Sequence, residues 1–556
     1  MGAVGDTTGE SAGYLRRFAS RFLGLDDDGV STPIVLLSGA VAAAVLSPLL
    51  WLLLRASEVP LEEALSLLNT STDVFANSLT LVAVVTTASV VLGVPLAVLT
   101  VQTDLPFRRF WTVVVALPLV VPSYVGAFAY ISAFGPDGEL ADVLAPFGIS
   151  IPEVYGLGGT ALVLTLFVYP YVFLTARAAL LSFDETQLEA ARTLNVGYLA
   201  AFRRVILPQI LPAVTAGALL VALYALSDFG TPTIMQYDVF TRMIYVELNS
   251  FGDGRNNATL LSLQLLTVTA VVVALESQIG GGEDSGYGAA ASSTAMISLG
   301  RLRWVAMLAP ALVSTFTLVL PVGILTMWFV RAEALEYEVG GRAFEWGFAL
   351  NSVQVAALAA VATLALSIPV AYYSGRSRAT FAWLTERATY LGYAMPGVVL
   401  ALALVFFSSN QLAEWFGPAV ARTVYQSLPL LVFAYVVRFL PQAVGATRSS
   451  VLGVDPSLLG AARVLGEPPR RVFRRVTLPL IAPGVLAGAA LVFLTTMKEL
   501  DTTLILHPTG FTTLVTYIWR VQEGGYYGRA ALPALVLVVV SGLSMIPLLV
   551  QGRTNE

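Results

Sequence analysis

The sequence predicts an all-α polytopic membrane protein of about twelve transmembrane helices, arranged as two parallel six-helix repeats. Three observations carry that prediction. Of 556 residues, 56% are hydrophobic and 12% are charged, against about 25% charged in a soluble domain, and the mean hydropathy is +0.77. Twelve segments are apolar over the ~20 residues that a helix needs to cross a bilayer. Residues 177–221 also align without a gap to residues 448–492, at a constant offset of 271, with 22 of 45 positions identical.

The predicted spans fall at 33–54, 75–101, 111–133, 158–181, 205–227 and 259–275, then at 304–330, 350–374, 384–408, 426–448, 477–497 and 530–550. A charged stretch with Arg16, Arg17 and Arg21 precedes the first, which lacks a short apolar core with a small-residue cleavage site. It therefore reads as an uncleaved anchor. Residues 276–303 carry Gly-Gly-Gly-Glu-Asp-Ser-Gly and read as a flexible cytoplasmic linker. The resulting plan is an N-terminal segment 1–32, a first membrane domain 33–275, the linker 276–303 and a second membrane domain 304–556. Arginine and lysine accumulate on the cytoplasmic side of a membrane. With the N-terminus inside, 18 of the 31 basic residues lie in inner loops and 9 in outer loops, while Arg177, Arg387, Arg438 and Arg448 fall within spans. Both termini are thus expected in the cytoplasm of a multi-pass plasma-membrane protein, with the acidic loops 55–74, 134–157, 331–349 and 498–529 outside.

Several residue types are missing, and their absence excludes whole classes of chemistry. Without cysteine there are no disulfides, thiolate metal sites or iron–sulfur clusters. His507 is the sole histidine, so a centre built on several imidazoles is excluded and any metal handled here meets oxygen ligands. Lys498 is the sole lysine and does not follow a glycine, which excludes the phosphate-binding loop G-x-x-x-x-G-K-[ST]. Soluble enzymes and nucleic-acid binding are excluded by composition. No catalytic cluster at a common depth points to a membrane enzyme.

The repeated block lies mostly in an inner loop. Its matches include Arg177/Arg448, Asp184/Asp455, Ala190-Ala191-Arg192/Ala461-Ala462-Arg463, Phe202-Arg203-Arg204/Phe473-Arg474-Arg475 and Leu207-Pro208/Leu478-Pro479. Upstream, Asn77-Ser78 matches Asn351-Ser352 and Pro95 matches Pro369, at an offset of 274. Asp184 suits an N-cap, and the residues after it have apolar side chains at helical spacing, which predicts a short helix lying across the cytoplasmic surface. Two adjacent alanines keep one face of that helix flat enough for another protein's groove. Pro208 and Pro479 suit the first turn of the next helix, where a missing N–H costs nothing.

These residues resemble the cytoplasmic signature of permease subunits of binding-protein-dependent ABC importers: Glu-Ala-Ala, three residues, Gly, nine residues, then Ile-x-Leu-Pro. Copy one has Glu189-Ala190-Ala191, Asn195 and Val205-Ile206-Leu207-Pro208. Copy two has Gly460-Ala461-Ala462, Gly466 and Val476-Thr477-Leu478-Pro479. Asn195 stands where the family has glycine, and Gly460 where it has glutamate. The resemblance implies that each loop is a coupling helix docking into a cytoplasmic ATPase, so that two copies of the ATPase are expected. It also implies one external substrate-binding protein. ATP and magnesium would belong to the ATPase, and this chain itself is expected to be no enzyme and to bind no cofactor.

The fused twelve-helix design is most similar to the ferric-iron importers, with thiamine and phosphonate importers as relatives. The narrower match rests on Ser227-Asp228-Phe229-Gly230-Thr231, on Met497-Lys498-Glu499-Leu500-Asp501-Thr502-Thr503-Leu504, on His507-Pro508-Thr509-Gly510-Phe511, and on the proline motifs Val121-Pro122-Ser123-Tyr124-Val125 and Met395-Pro396-Gly397-Val398-Val399. Read from the residues alone, Asp228 coincides with Glu499 at the repeat offset. Each lies about 20 residues, or ~30 Å of helix, beyond Pro208 or Pro479, near the outer mouth. Paired carboxylates attract a hard cation; alternatively they cap helix ends, or pair with Lys498 and Arg242. Tyr124, Tyr130, Tyr169 and Tyr224 offer phenol oxygens, although tyrosine is common at membrane interfaces. Arg438, inside a span, must face water or a partner, either lining a pathway or holding a structural ion pair. The expected function is import by alternating access, with ferric iron as cargo and thiamine, phosphonate or polyamine as alternatives. An ion-gradient-driven secondary transporter is the rival class, and lipid is the expected surroundings.

Overall fold

The computed structural model describes residues 22–23, 30–135, 146, 154–182, 200, 202–279, 297–334 and 344–551, and within them every regular element is a helix. Copy one comprises α1 (Thr32–Ser57), α2 (Thr72–Gln102), α3 (Arg108–Ala116), α4 (Ser123–Phe134), α5 (Gly156–Leu181), α6 (Leu207–Ser227), α7 (Gly230–Ile234), α8 (Phe240–Leu248) and α9 (Gly254–Ile279). Copy two comprises α10 (Leu320–Ala334), α11 (Trp346–Arg376), α12 (Thr380–Ala394), α13 (Gly397–Phe406), α14 (Leu428–Leu452), α15 (Pro456–Val464), α16 (Leu478–Met497), α17 (Asp501–Leu506), α18 (Leu514–Glu523) and α19 (Tyr527–Gln551). Among the described residues ten helices are long and apolar enough to cross a membrane, or eleven if one helix pair bent by 91° is counted as a single span. The twelfth predicted segment lies on α19. The chain is an all-α polytopic membrane protein, as expected.

Two predicted spans are not continuous. Segment 111–133 bends by 91° between its two halves, and segment 384–408 is divided between α12 and α13. The cause is the same in both copies. A residue before proline is pushed out of helical geometry, and Val121 (ψ 124°) and Met395 (ψ 115°) are both extended ahead of Pro122 and Pro396. The segment read as a flexible linker is helical as far as Ile279. Its far end lies along the end of α2, where the Ile297 N–H donates to the Gln102 carbonyl at 3.0 Å and the Leu299 N–H to Asp104 Oδ1 at 2.7 Å.

In each copy three long helices pack together: α2, α5 and α6 in the first, α11, α14 and α16 in the second. The anchor α1 crosses to the other copy, packing on α11, α12 and α13 as well as on α9. The upstream match recurs in space. The Asn77 side-chain amide donates to the Asp238 carbonyl and Ser78 Oγ accepts from the Phe240 N–H; Asn351 does the same to Thr512, and Ser352 to Leu514. These contacts tie the start of α2 to α8 and the start of α11 to α18.

The segment 498–529 after α16 was expected as an outer loop, and the segment after α6 is its counterpart in copy one. They hold short helices packed into the protein instead, and Tyr517, Ile518 and Trp519 of α18 are buried. Trp519 meets the ring of Phe229 from the other copy at 5.2 Å, so the two copies close on each other here.

Candidate translocation cavity

The repeated loop motif is seen in copy two. Asp455 caps α15 by accepting from the Ser457 N–H at 2.8 Å, and this bond holds its carboxyl below the usual range. Leu459 and Ala462 face the cluster formed with Val451 and Ile481. The opposite surface is open: Gly460 and Ala461 are exposed, Leu465 is 82% exposed and Val464 89%. Gly466 then reverses the chain with a φ of +79°, a left-handed conformation that glycine adopts without penalty. In copy one, Asp184, Glu189, Ala190, Ala191 and Asn195 lie outside the described residues. Pro208 and Pro479 sit in the first turns of α6 and α16, as expected. In both copies, however, a π-turn built from Phe-Arg-Arg-Val precedes that turn (Phe202–Ile206 and Phe473–Thr477), so the helical path begins before the proline.

All four residues singled out for a pathway, Tyr124, Asp228, Arg438 and Glu499, line one cavity of about 120 Å³ between the copies. Asp228 Oδ1 accepts from the Thr231 N–H at 2.8 Å, capping α7, while its Oδ2 accepts from the Ser123 hydroxyl, which lies 3.1 Å from Tyr224 Oη. At the matching position Glu499 Oε1 accepts from the Thr502 N–H at 3.3 Å and from its hydroxyl at 3.1 Å. The helix-capping alternative is therefore realised at both carboxylates, and both still face the cavity. The proposed pairings with lysine and with Arg242 fare differently: Arg242 pairs with Asp238, and the Lys498 ammonium donates to the Leu119 carbonyl of the other copy at 2.9 Å. Pro122 has no N–H to offer that carbonyl.

The copies differ in how the carboxylate is matched. Ser123 of copy one corresponds to Gly397 of copy two, and Phe167 to Arg438. The glycine leaves the space that the guanidinium fills, so Arg438 Nη1 lies 3.4 Å from Glu499 Oε1 and Nη2 lies 4.0 Å from Asp501 Oδ2. Asp501, Tyr171 and Tyr393 also line the cavity and were not singled out for a pathway from sequence, although Asp501 falls within the motif 497–504. Asp501 was missed because its counterpart is Gly230, so a search for carboxylates shared by both copies passes over it. The Tyr124 hydroxyl is buried and has no hydrogen-bond partner among the described residues. Tyr130 and Tyr169 lie elsewhere, donating to the Phe316 and Val115 carbonyls. His507 sits half-buried at the end of α17, its Nδ1 3.0 Å from the Thr503 carbonyl oxygen.

The model of the family "Binding-protein-dependent transport system inner membrane component" matches the chain twice, over residues 89–333 and 367–551. The chain is 30% identical over 503 residues to the Fe(3+)-transport system permease protein FbpB 2 of Haemophilus influenzae, covering 89% of this chain and 94% of that one. It is 27% identical over 487 residues to a probable ABC transporter permease protein, y4fN, of Sinorhizobium fredii, covering 81% and 83%. A shorter relative, the molybdenum transport system permease protein ModB of Escherichia coli, is 31% identical over 228 residues, 37% of this chain and 91% of its own length. With the signature present twice, the cavity formed between the two copies and the family model matched on each, the chain belongs to the binding-protein-dependent inner-membrane components, as a fused two-domain permease of an ABC importer.

Proposed function

We propose that this permease carries ferric iron, released by an external binding protein at the outer mouth, through the cavity between its two copies. The observation that carries the proposal is the lining. Asp228, Glu499 and Asp501 converge there with Arg438 and Lys498, so three carboxylates face two cations. With Tyr124 and Tyr224 this makes an oxygen-rich surface of net negative formal charge. A hard cation prefers such ligands, whereas an oxyanion would meet the three carboxylates. The iron-transport relative, matched over nearly all its length, points the same way.

On the cytoplasmic face, two ATPase copies dock on the coupling helices, one around Glu189, Ala190, Ala191 and Asn195, the other around Gly460, Ala461, Ala462 and Gly466. Pro208 and Pro479 relay their movement into α6 and α16, which end one residue before Asp228 and two before Glu499. ATP and magnesium reside on those subunits, both termini are cytoplasmic, and lipid surrounds the chain. The test is reconstitution of the chain with its ATPase and binding protein in proteoliposomes. ATPase stimulation by the iron-loaded binding protein, and none by a thiamine- or oxyanion-loaded one, is expected; the reverse preference refutes the iron assignment.

A further inference from the structure

A second cavity, of about 1180 Å³, lies in a groove between α1, α9 and α12, helices drawn from both copies, and adjoins the first only at Ala394 near the end of α12. Its walls are mostly apolar, with Tyr390 and Arg387 as the polar exceptions on α12. The hydroxyls of Thr267, Thr269 and Thr385 are each spent on a carbonyl of their own helix, at 2.8, 2.8 and 2.9 Å. With their donors occupied, these threonines leave the walls formed by α1 and α9 few groups to hold ordered water, which a cavity keeps only where polar partners exist. On α1 it runs from Gly39 to Leu53, ~21 Å at 1.5 Å per residue, most of the ~30 Å hydrocarbon core. A bilayer fills such a space with acyl chains.

One group on its rim is out of place in hydrocarbon. Arg387 is exposed, about two turns into α12, with its guanidinium 5.8 Å from the centre of the Trp383 ring. No carboxylate among the described residues pairs with it. An arginine at that depth is costly unless it reaches the interface or an anion, and Trp383 is the residue type that marks the headgroup level. The start of α12 lies on the arginine-rich side of the membrane, beside Arg376 and Arg378. We propose that this groove binds an acidic phospholipid of the inner leaflet, with an acyl chain between α1, α9 and α12 and its phosphate on Arg387. The lipid fills the seam where the anchor of copy one meets copy two, whatever the cargo.

The test uses the full chain purified into nanodiscs of equimolar phosphatidylglycerol and phosphatidylcholine, with tightly retained lipid measured by native mass spectrometry. The wild type should retain phosphatidylglycerol over phosphatidylcholine by about fivefold, the ratio expected of one basic residue at a membrane surface. Arg387→Ala should bring the ratio near parity and Arg387→Lys should keep most of it. Ala270→Phe, which fills the groove and leaves the charge, should lose the retained lipid. Arg301→Ala is the control and should behave as wild type. Parity in the wild type, or undiminished retention in both Arg387→Ala and Ala270→Phe, overturns the proposal.

Discussion

Replacing Gly397 by alanine puts a methyl group where the Arg438 guanidinium now lies. A Cβ built there overlaps Nη1 of Arg438 and stands 2.8 Å from Glu499 Oε1 and 2.9 Å from Asp501 Cβ, well inside the ~3.5 Å of an ordinary contact. The arginine must leave, and its pairing with Glu499 at 3.4 Å goes with it. Both side chains are largely buried, 13% and 10% exposed, so the carboxylate is left without its counter-ion in a poorly solvated place. Breaking such a pair costs about 3–5 kcal/mol. The expected result is a lowered melting midpoint in nanodiscs, together with loss of iron uptake in proteoliposomes. Arg438→Lys in the Gly397→Ala background keeps the charge and removes the terminal nitrogens that clash, so it should recover part of the stability. The corresponding change in copy one, Ser123→Ala, removes a hydroxyl that donates to Asp228 and should cost about 1–3 kcal/mol. Wild-type melting and wild-type uptake in Gly397→Ala would refute the pairing.

Three further outcomes follow from the same geometry. Glutamate at both Ala190 and Ala461 should abolish substrate-stimulated ATPase activity while the chain still inserts, as judged by co-purification of the ATPase and by membrane yield; unchanged uptake would sink the coupling assignment. Lys498→Met leaves the Leu119 carbonyl without its donor and should cost about 1–3 kcal/mol, seen as a lower melting midpoint, and an unchanged midpoint would remove this bond as a tie between the copies. Tyr124→Phe deletes a buried hydroxyl without a partner among the described residues, so stability should hold or rise while uptake falls; equal uptake would take the hydroxyl out of the pathway.

What could be read from the sequence, and what could not, follows from where each signal resides. Long helices are legible because crossing a bilayer demands an unbroken apolar run, and the internal repeat because two copies preserved Asp184/Asp455 and the Arg-Arg and Leu-Pro pairs. The breaks at Pro122 and Pro396 were hidden by the same apolarity that reveals spans, since the hydrophobic run continues through both. The short helices α8 and α18 looked like outer loops; their burial comes from long-range packing, such as Trp519 on Phe229, which no local pattern encodes. Asp228 and Glu499 were found because the repeat aligns them. Asp501 and the Gly397–Arg438 exchange were invisible to that comparison, because they are where the two copies differ.

The most direct test of cation passage between the copies is ATP-driven uptake of radioactive iron into proteoliposomes containing the chain, its ATPase and its iron-loaded binding protein, comparing wild type with Asp228→Asn/Glu499→Gln. The double variant keeps the size of both side chains and the acceptors that cap α7 and α17, while removing two of the three carboxylate charges from the cavity. Uptake at least tenfold slower, with the ATPase still bound, is the expected result; wild-type uptake by the double variant would contradict passage of a cation through this cavity.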